Sequence, residues 1–255
     1  MKIYIFADME GISGITGTEF VLPTEPRYAT GCKYLTADIN ACVQGCFDAG
    51  ADEVVVRDGH STGLNVIWSE MDGRAQLVQG ATPGKRMYGI EGSDGVILLG
   101  YHAMAGTQRA HLEHTFSSRG IQNIWLNGRK VGEFGMDTAI AGDYNIPVIM
   151  TSGCDKLCAE AKEFSPEVIT CQVKRSISLQ GAMLLSADKA HELIRAKTRE
   201  AIEALKAGKI KPVTFKDVTI RTEYVERYEP AFGLVADRTV EKRGETVEKA
   251  FLGQC

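Results

Sequence analysis

Short apolar runs alternate with amphipathic stretches of helical period along most of this 255-residue chain. Residues 2–7, KIYIFA, are β-rich and end in an acidic, glycine-containing loop, which predicts a buried strand. Residues 35–49 carry apolar side chains at helical spacing, with Thr36 as the expected N-cap and Gly50 as the stop. Residues 53–57 contain VVV, the continuous run of a parallel strand covered on both faces, and lead straight into DGHS. Residues 95–100, GVILLG, repeat that pattern and lead into YHA. The stretch IWLNGRKVGE predicts two short strands joined at Asn127-Gly128, the strongest short hairpin signal. Helices are expected over 134–144, 154–164 and 187–207, and strands over 147–151, 168–173 and 214–224. From Arg227 on the pattern is weak. There is no internal repeat, low-complexity segment or Pro/Gly linker, so the alternation predicts an α/β fold with a mostly parallel sheet and flanking helices.

Composition narrows the field without choosing a function. Hydrophobic residues make up 44% and charged residues 24%, ordinary for a globular protein with a sizeable core. A formal net charge of -4 argues against nucleic acid as a partner. The N-terminal apolar run is too short for a signal peptide, and no stretch approaches the roughly 18 apolar residues of a spanning helix, so no membrane role is expected. The seven cysteines, Cys32, Cys42, Cys46, Cys154, Cys158, Cys171 and Cys255, are odd in number and contain no CxxC pair. They read as small buried hydrophobes in a reduced, cytoplasmic protein.

The chemistry collects where predicted strands end. ADME follows the first strand, RDGH the second and GYHA a later one. In open α/β sheets the ligand crevice lies beyond the carboxyl ends of the strands, so these residues are expected to converge. Asp8 and Glu10 are two apart, which on an extended segment points both carboxylates to one side. Like charges there need a cation, unless they cap the amides of a following helix. Gly11, Gly14 and Gly17 suggest a phosphate cradle, but their spacing is GxxGxxG and two carboxylates repel a bare phosphate. His60 stands two residues after Asp58, a candidate for its outer support, and His102 repeats the placement. Glu133 is flanked by Gly132 and Gly135, which permits close approach; taken alone it reads as an exposed charge opening a helix. Of five histidines, His60, His102, His111 and His114 lie near these motifs, whereas His191 falls in a charged helix and reads as a surface residue. Imidazole and carboxylate together suit Zn²⁺, and five such ligands exceed what one tetrahedral zinc with an open position needs. Two metals sharing a carboxylate would use them all.

The ordered set DMEGISG, DGHS, GYHA, EHTFS and NG–VGE–G, over the first half of the chain, resembles the D-aminopeptidase (DppA) family, the M55 metallopeptidases. A weaker similarity continues through IPVIMTSGCD and VKRSIS to about residue 200. The resemblance implies two zinc ions per subunit, with Asp8 bridging, Glu10 and His60 completing one position, and His102 and Glu133 the other. It places the family's catalytic histidine at His114, in EHTFS; the alignment needs one inserted residue after His102, so His111 and Glu113 remain candidates for that role. It also implies an α/β domain with a second, smaller lobe and assembly into a ring-shaped homodecamer. The chain is read as one metallohydrolase domain over residues 1–255, with a smaller C-terminal lobe from about residue 155.

The expected activity is hydrolysis of an N-terminal residue from short peptides, D-configured ones included, or from amino-acid amides. A dinuclear site can polarise a carbonyl and activate a water, and an imidazole such as that of His114 suits proton transfer to the leaving amine near neutral pH. Two other classes stay open at this point: a metal-dependent phosphoesterase and a non-catalytic metal-binding scaffold.

Overall fold

A computed structural model describes residues 1–225 and 238–253. The large sheet has the order β3-β2-β1-β4-β7-β8-β9. Its strands are β1 (Lys2–Ala7), β2 (Glu53–Asp58), β3 (Gln76–Val78), β4 (Gly95–Tyr101), β7 (Val148–Cys154), β8 (Ile169–Ser178) and β9 (Gly181–Leu184). All neighbours run parallel except β8 and β9. A smaller antiparallel sheet, β11-β10-β5-β6, joins β5 (Ile121–Leu126) and β6 (Arg129–Val131) to β10 (Val218–Tyr224) and β11 (Thr239–Gly244). Residues 155–206 continue the large sheet, through α3 (Asp155–Phe164), β8, β9 and α4 (Ala187–Lys206). The α/β fold with a mostly parallel sheet and a second, smaller part is therefore what the chain adopts.

The alternation of side chains along β1 divides the core in two. Ile3, Ile5 and Ala7 pack with Leu35 and Ile39 of α1 (Tyr28–Asp48) and Ile194 and Ile202 of α4. Tyr4 and Phe6 pack on the other face with Phe134 and Ile140 of α2 (Glu133–Asp143), Leu157 of α3, and Ile124 and Leu126 of the small sheet. Each large side chain buried this way stabilises the fold by roughly 2 kcal/mol relative to exposure. Both faces of the sheet being covered explains why β1, β2 and β4 read as continuous apolar runs.

Helix α1 starts at Tyr28, seven residues before the expected 35. Its early turns are buried through Gly31, where a Cβ would fall 2.1 Å from the Phe20 carbonyl oxygen, and through Cys32. Thr36 is accordingly no cap: its hydroxyl donates to the Cys32 carbonyl one turn back and accepts from Ile67 N. The hairpin at Asn127-Gly128 forms as expected, with positive φ at both residues (46° and 82°) as a type I′ turn requires. Asn127 then ties that turn to the neighbouring strand, its Oδ1 accepting from Thr219 N. Strands β3, β9 and β11 and helix α5 (Val247–Leu252) carry no sequence pattern strong enough to announce them. The stretch after Arg227 falls partly in 226–237 and 254–255, outside the described residues, as does Cys255; the other six cysteines are free thiols. Among the described residues no helix is long and apolar enough to cross a membrane.

Strand order reverses around β1: β2 and β3 lie on one side, β4 and β7 on the other. The crevice of a doubly wound sheet opens at such a switch point. Ala7 is level with Asp58 of β2 and Leu99 of β4, so the three strands deliver their next residues to one place. The loop leaving β1 is pressed onto β4: Gly11 N donates to the Gly100 carbonyl at 2.7 Å, and a Cβ on Gly11 would fall 1.9 Å from the Tyr101 carbonyl oxygen. Gly11→Ala is therefore expected to cost about 3 kcal/mol, because backbone must move against backbone, as read by urea denaturation. An unchanged midpoint would mean that the loop does not sit against β4.

Candidate metal centre

Asp8 is the first residue beyond β1, and Glu10 follows after Met9, which turns into the core. The two carboxylates flank it on the other side and face a cavity of about 700 Å³. His60 arrives from the end of β2, His102 from the end of β4, and Glu133 is the first residue of α2. A carboxylate in the first turn of a helix is favoured by the exposed amides and the helix dipole. Far from being an exposed charge, Glu133 is buried, as are Asp8, Glu10, His60 and His102. All five expected ligands meet.

The distances divide them into two groups around Asp8. Asp8 Oδ1 lies 3.1 Å from His60 Nδ1, which is also 3.2 Å from Glu10 Oε2. Asp8 Oδ2 lies 3.4 Å from His102 Nε2, itself 3.2 Å from Glu133 Oε1. His114 joins the second group, with Nε2 at 3.5 Å from Glu133 Oε1 and its ring stacked on His102 at 4.0 Å between centroids. Donor atoms of Asp8, Glu10 and His60 lie within 4.8 Å of one another, and so do those of His102, His114 and Glu133.

Each imidazole engages one nitrogen with a backbone carbonyl: His60 Nε2 with Val21 at 2.9 Å, His102 Nδ1 with Ala103 at 3.1 Å, and His114 Nδ1 with Leu112 at 2.9 Å. That contact fixes the tautomer and turns the other nitrogen toward the carboxylates, as metal-binding histidines are held. Asp8 Oδ2, Glu10 Oε2 and His102 Nε2 are buried and have no hydrogen-bond partner. Buried polar atoms are normally satisfied, so these three mark where a cation belongs. The residues fit divalent metal: hard carboxylates and imidazoles, preoriented, with lone pairs converging.

Without a cation, protons do the neutralising. Burial opposes a charge on His102, but Glu133, Asp8 and Glu10 overrule it and raise its pKa to about 10. His60 is raised well above its ordinary value, burial again being outweighed by Glu10 and Asp8. Burial and the neighbouring Glu10 lift Asp8 to about 6. Against its own burial, Glu133 is held down to about 2 by His102 and His114.

Of the other histidines, His111 is buried, lies outside the cavity lining, and is pushed down to about 3 by its burial, with Lys174 adding to the shift. Glu113 lines the cavity and accepts from Gly106 N. His191 is not simply a surface residue: it is only half exposed and pairs at 3.3 Å with the fully buried Asp38. Asp58 supports His60 indirectly, since it accepts from Asn65 N and Nδ2, and Asn65 Nδ2 donates to the His60 carbonyl. Two cations escaped notice in the sequence. Arg86 makes a two-pronged contact with Asp137, at 2.5 and 2.8 Å, and its guanidinium stands 4.0 Å from Glu133 Oε2. Lys174 is buried beneath the Asp8–Glu10 loop; burial lowers its pKa, while three carbonyl acceptors on its Nζ favour the charged form. Neither is spaced from a recognisable motif.

A doubly wound sheet whose switch point gathers preoriented imidazoles and unpartnered carboxylates is the setting of a metal centre. Residues 1–251 match the family model Peptidase M55, described as D-aminopeptidase. The D-aminopeptidase of Bacillus subtilis (strain 168) is 36% identical over 221 residues, covering 85% of this chain and 78% of that protein. A solved structure, the Zn-dependent D-aminopeptidase DppA from Bacillus subtilis, described as a self-compartmentalizing protease, superposes with a TM-score of 0.89. Its identity is 31%, over 98% of this chain and 94% of that one. The chain belongs to the D-aminopeptidase family and is a hydrolase.

Metal entry must displace the protons held by His60 and His102. Zinc added at pH 7 to chelator-stripped protein is thus expected to release protons, and affinity to rise with pH up to about 10 for His102, by about tenfold per unit for each proton displaced. Calorimetry in buffers of different ionisation enthalpy counts them. A heat independent of buffer would contradict the assignment.

Proposed function

We propose that this protein is a zinc-dependent aminopeptidase or amidohydrolase. It removes the N-terminal residue of short peptides, D-configured ones included, or of amino-acid amides, through a dinuclear site. The observation that carries this reading is the division of Asp8, one oxygen turned to His60 and the other to His102. Asp8, Glu10 and His60 would hold one ion, and Asp8, His102 and Glu133 the other. Zinc, when bound there, supplies Lewis acidity toward a carbonyl oxygen and a water that loses its proton near neutral pH.

The chain's own residues do the rest. His114 lines the cavity with Nδ1 engaged by the Leu112 carbonyl, so its Nε2 is the atom that takes and returns a proton. Its stacking on His102 holds the ring at the edge of the cluster. This favours His114 over His111, which lies outside the lining. The cavity of about 700 Å³ accepts a short peptide and no folded chain. Likeness to a self-compartmentalizing protease supports a ring-shaped homo-oligomer, a homodecamer by family resemblance, which would restrict access further. The free thiols suit a cytoplasmic setting.

Paired D- and L-amino-acid amides and dipeptides, assayed with and without chelator, test the activity. Chelator-sensitive release of the N-terminal residue is expected. Turnover of a generic phosphate ester but of no amide would instead favour a phosphoesterase, and full activity in metal-free protein would sink the zinc-dependent reading. His60→Ala and His102→Ala are each expected to lose at least one zinc by elemental analysis. His114→Ala is expected to keep both and to lose about 10²–10⁴-fold in kcat. A fully active His114→Ala beside an inactive His111→Ala would move the proton-transfer role to His111.

A further inference from the structure

The loop carrying Asp8 and Glu10 rests on a lysine for which the chemistry above has no use. Lys174, in β8, is 2% exposed. Its Nζ donates to the carbonyl oxygens of Glu10 at 2.7 Å, Ile12 at 2.9 Å and Ile15 at 2.8 Å. An ammonium has three N–H donors, and all three are engaged by this one loop. The peptide group that follows Glu10 is consequently gripped at both ends, its carbonyl by Lys174 and its N–H by the Gly100 carbonyl. A separate anchor lies further on, where Asp38 of α1 accepts from Ser13 N at 2.8 Å and Ser13 Oγ at 2.5 Å.

These anchors have different reach. Without Lys174, Ser13 stays tied to Asp38 and Gly11 to β4, so the loop keeps its course. The Glu10 carbonyl loses its partner, and that peptide plane is left with one contact, Gly11 N on the Gly100 carbonyl, about which it can tilt. The side chain displaced by such a tilt is Glu10, which lies 3.2 Å from His60 Nδ1 and must stay near it to share a cation with it. His102 and Glu133 come from β4 and α2 and do not depend on this plane.

We propose that Lys174 is a positioning residue: the three hydrogen bonds its ammonium donates into the loop fix Glu10 opposite His60. The position formed by Asp8, Glu10 and His60 therefore depends on Lys174 more than the position formed by His102 and Glu133. This inference rests on reading those residues as metal ligands.

The test is Lys174→Ala in the full-length chain, which leaves three carbonyl oxygens facing a hole that admits an ammonium ion. Cobalt(II) is titrated into chelator-stripped wild type and variant and followed by its visible absorption, in sodium chloride and again in ammonium chloride. Wild type is expected to take two equivalents in either salt. In sodium chloride the variant should keep the wild-type far-ultraviolet circular dichroism and first equivalent, with the second weakened at least about tenfold. Ammonium should restore most of that loss in Lys174→Ala and none in Lys174→Met, whose side chain fills the hole. Two equivalents at wild-type affinity in sodium chloride would overturn the proposal. So would a loss in Lys174→Ala that ammonium leaves unchanged, or a variant unfolded in both salts, since Lys174 would then support the fold rather than the loop. A wild type that takes fewer than two equivalents removes the dinuclear reading, and the proposal with it.

Discussion

Three carboxylates buried within reach of one another set the terms for the rest of this molecule. Asp8, Glu10 and Glu133 sit where water cannot screen them, and their mutual repulsion must be answered by positive charge. The fold answers at two radii. Close in stand the imidazoles of His60, His102 and His114, aimed by backbone carbonyls. Farther out, Lys174 holds the loop from below and Arg86, itself balanced by Asp137, stands near Glu133. Such a centre is expensive to assemble and so is placed where backbone geometry is least negotiable, at the ends of three adjacent parallel strands.

What could be read from residue order follows that logic. An apolar run covered on both faces, ending in a ligand-type residue, is a strong local signal, and Asp8, His60 and His102 all follow one. Glu133 entered as a ligand only through the family resemblance, since taken alone it reads as an exposed charge and nothing local foretells its burial. Thr36 misled because a hydroxyl before a periodic stretch also occurs inside a helix, bonded one turn back. The real start at Tyr28 is set by Gly31 packing under a distant carbonyl, a contact absent from local sequence.

Lone cations were the least legible feature. Lys174 lies in QVKRSIS, where its neighbours look like an ordinary strand and nothing distinguishes an inward lysine from an outward one. His191 was read from its own helix as solvated, yet its partner Asp38 belongs to α1 and meets it only through packing. Both cases share a cause. A charge is buried when its partner is, and the partner is remote in sequence.

The small sheet carries a temporal consequence. Asp8, His60 and His102 lie within the first 102 residues, at the centre of the large sheet. Glu133 follows the β5–β6 hairpin, whose other neighbour, β10, is set by pairings such as Ile220 with Leu126. An isolated two-stranded hairpin is marginal in water. Contacts so far apart in sequence form late, after the cost of closing the loop between them has been met. Neither half of the centre is braced by the first strands alone: Glu133 depends on a hairpin completed by β10, and the Asp8–Glu10 loop rests on Lys174 of β8. A centre whose braces come from residues 174 and 220 is completed only when most of the chain is in place, which puts catalytic competence among the last properties to be acquired.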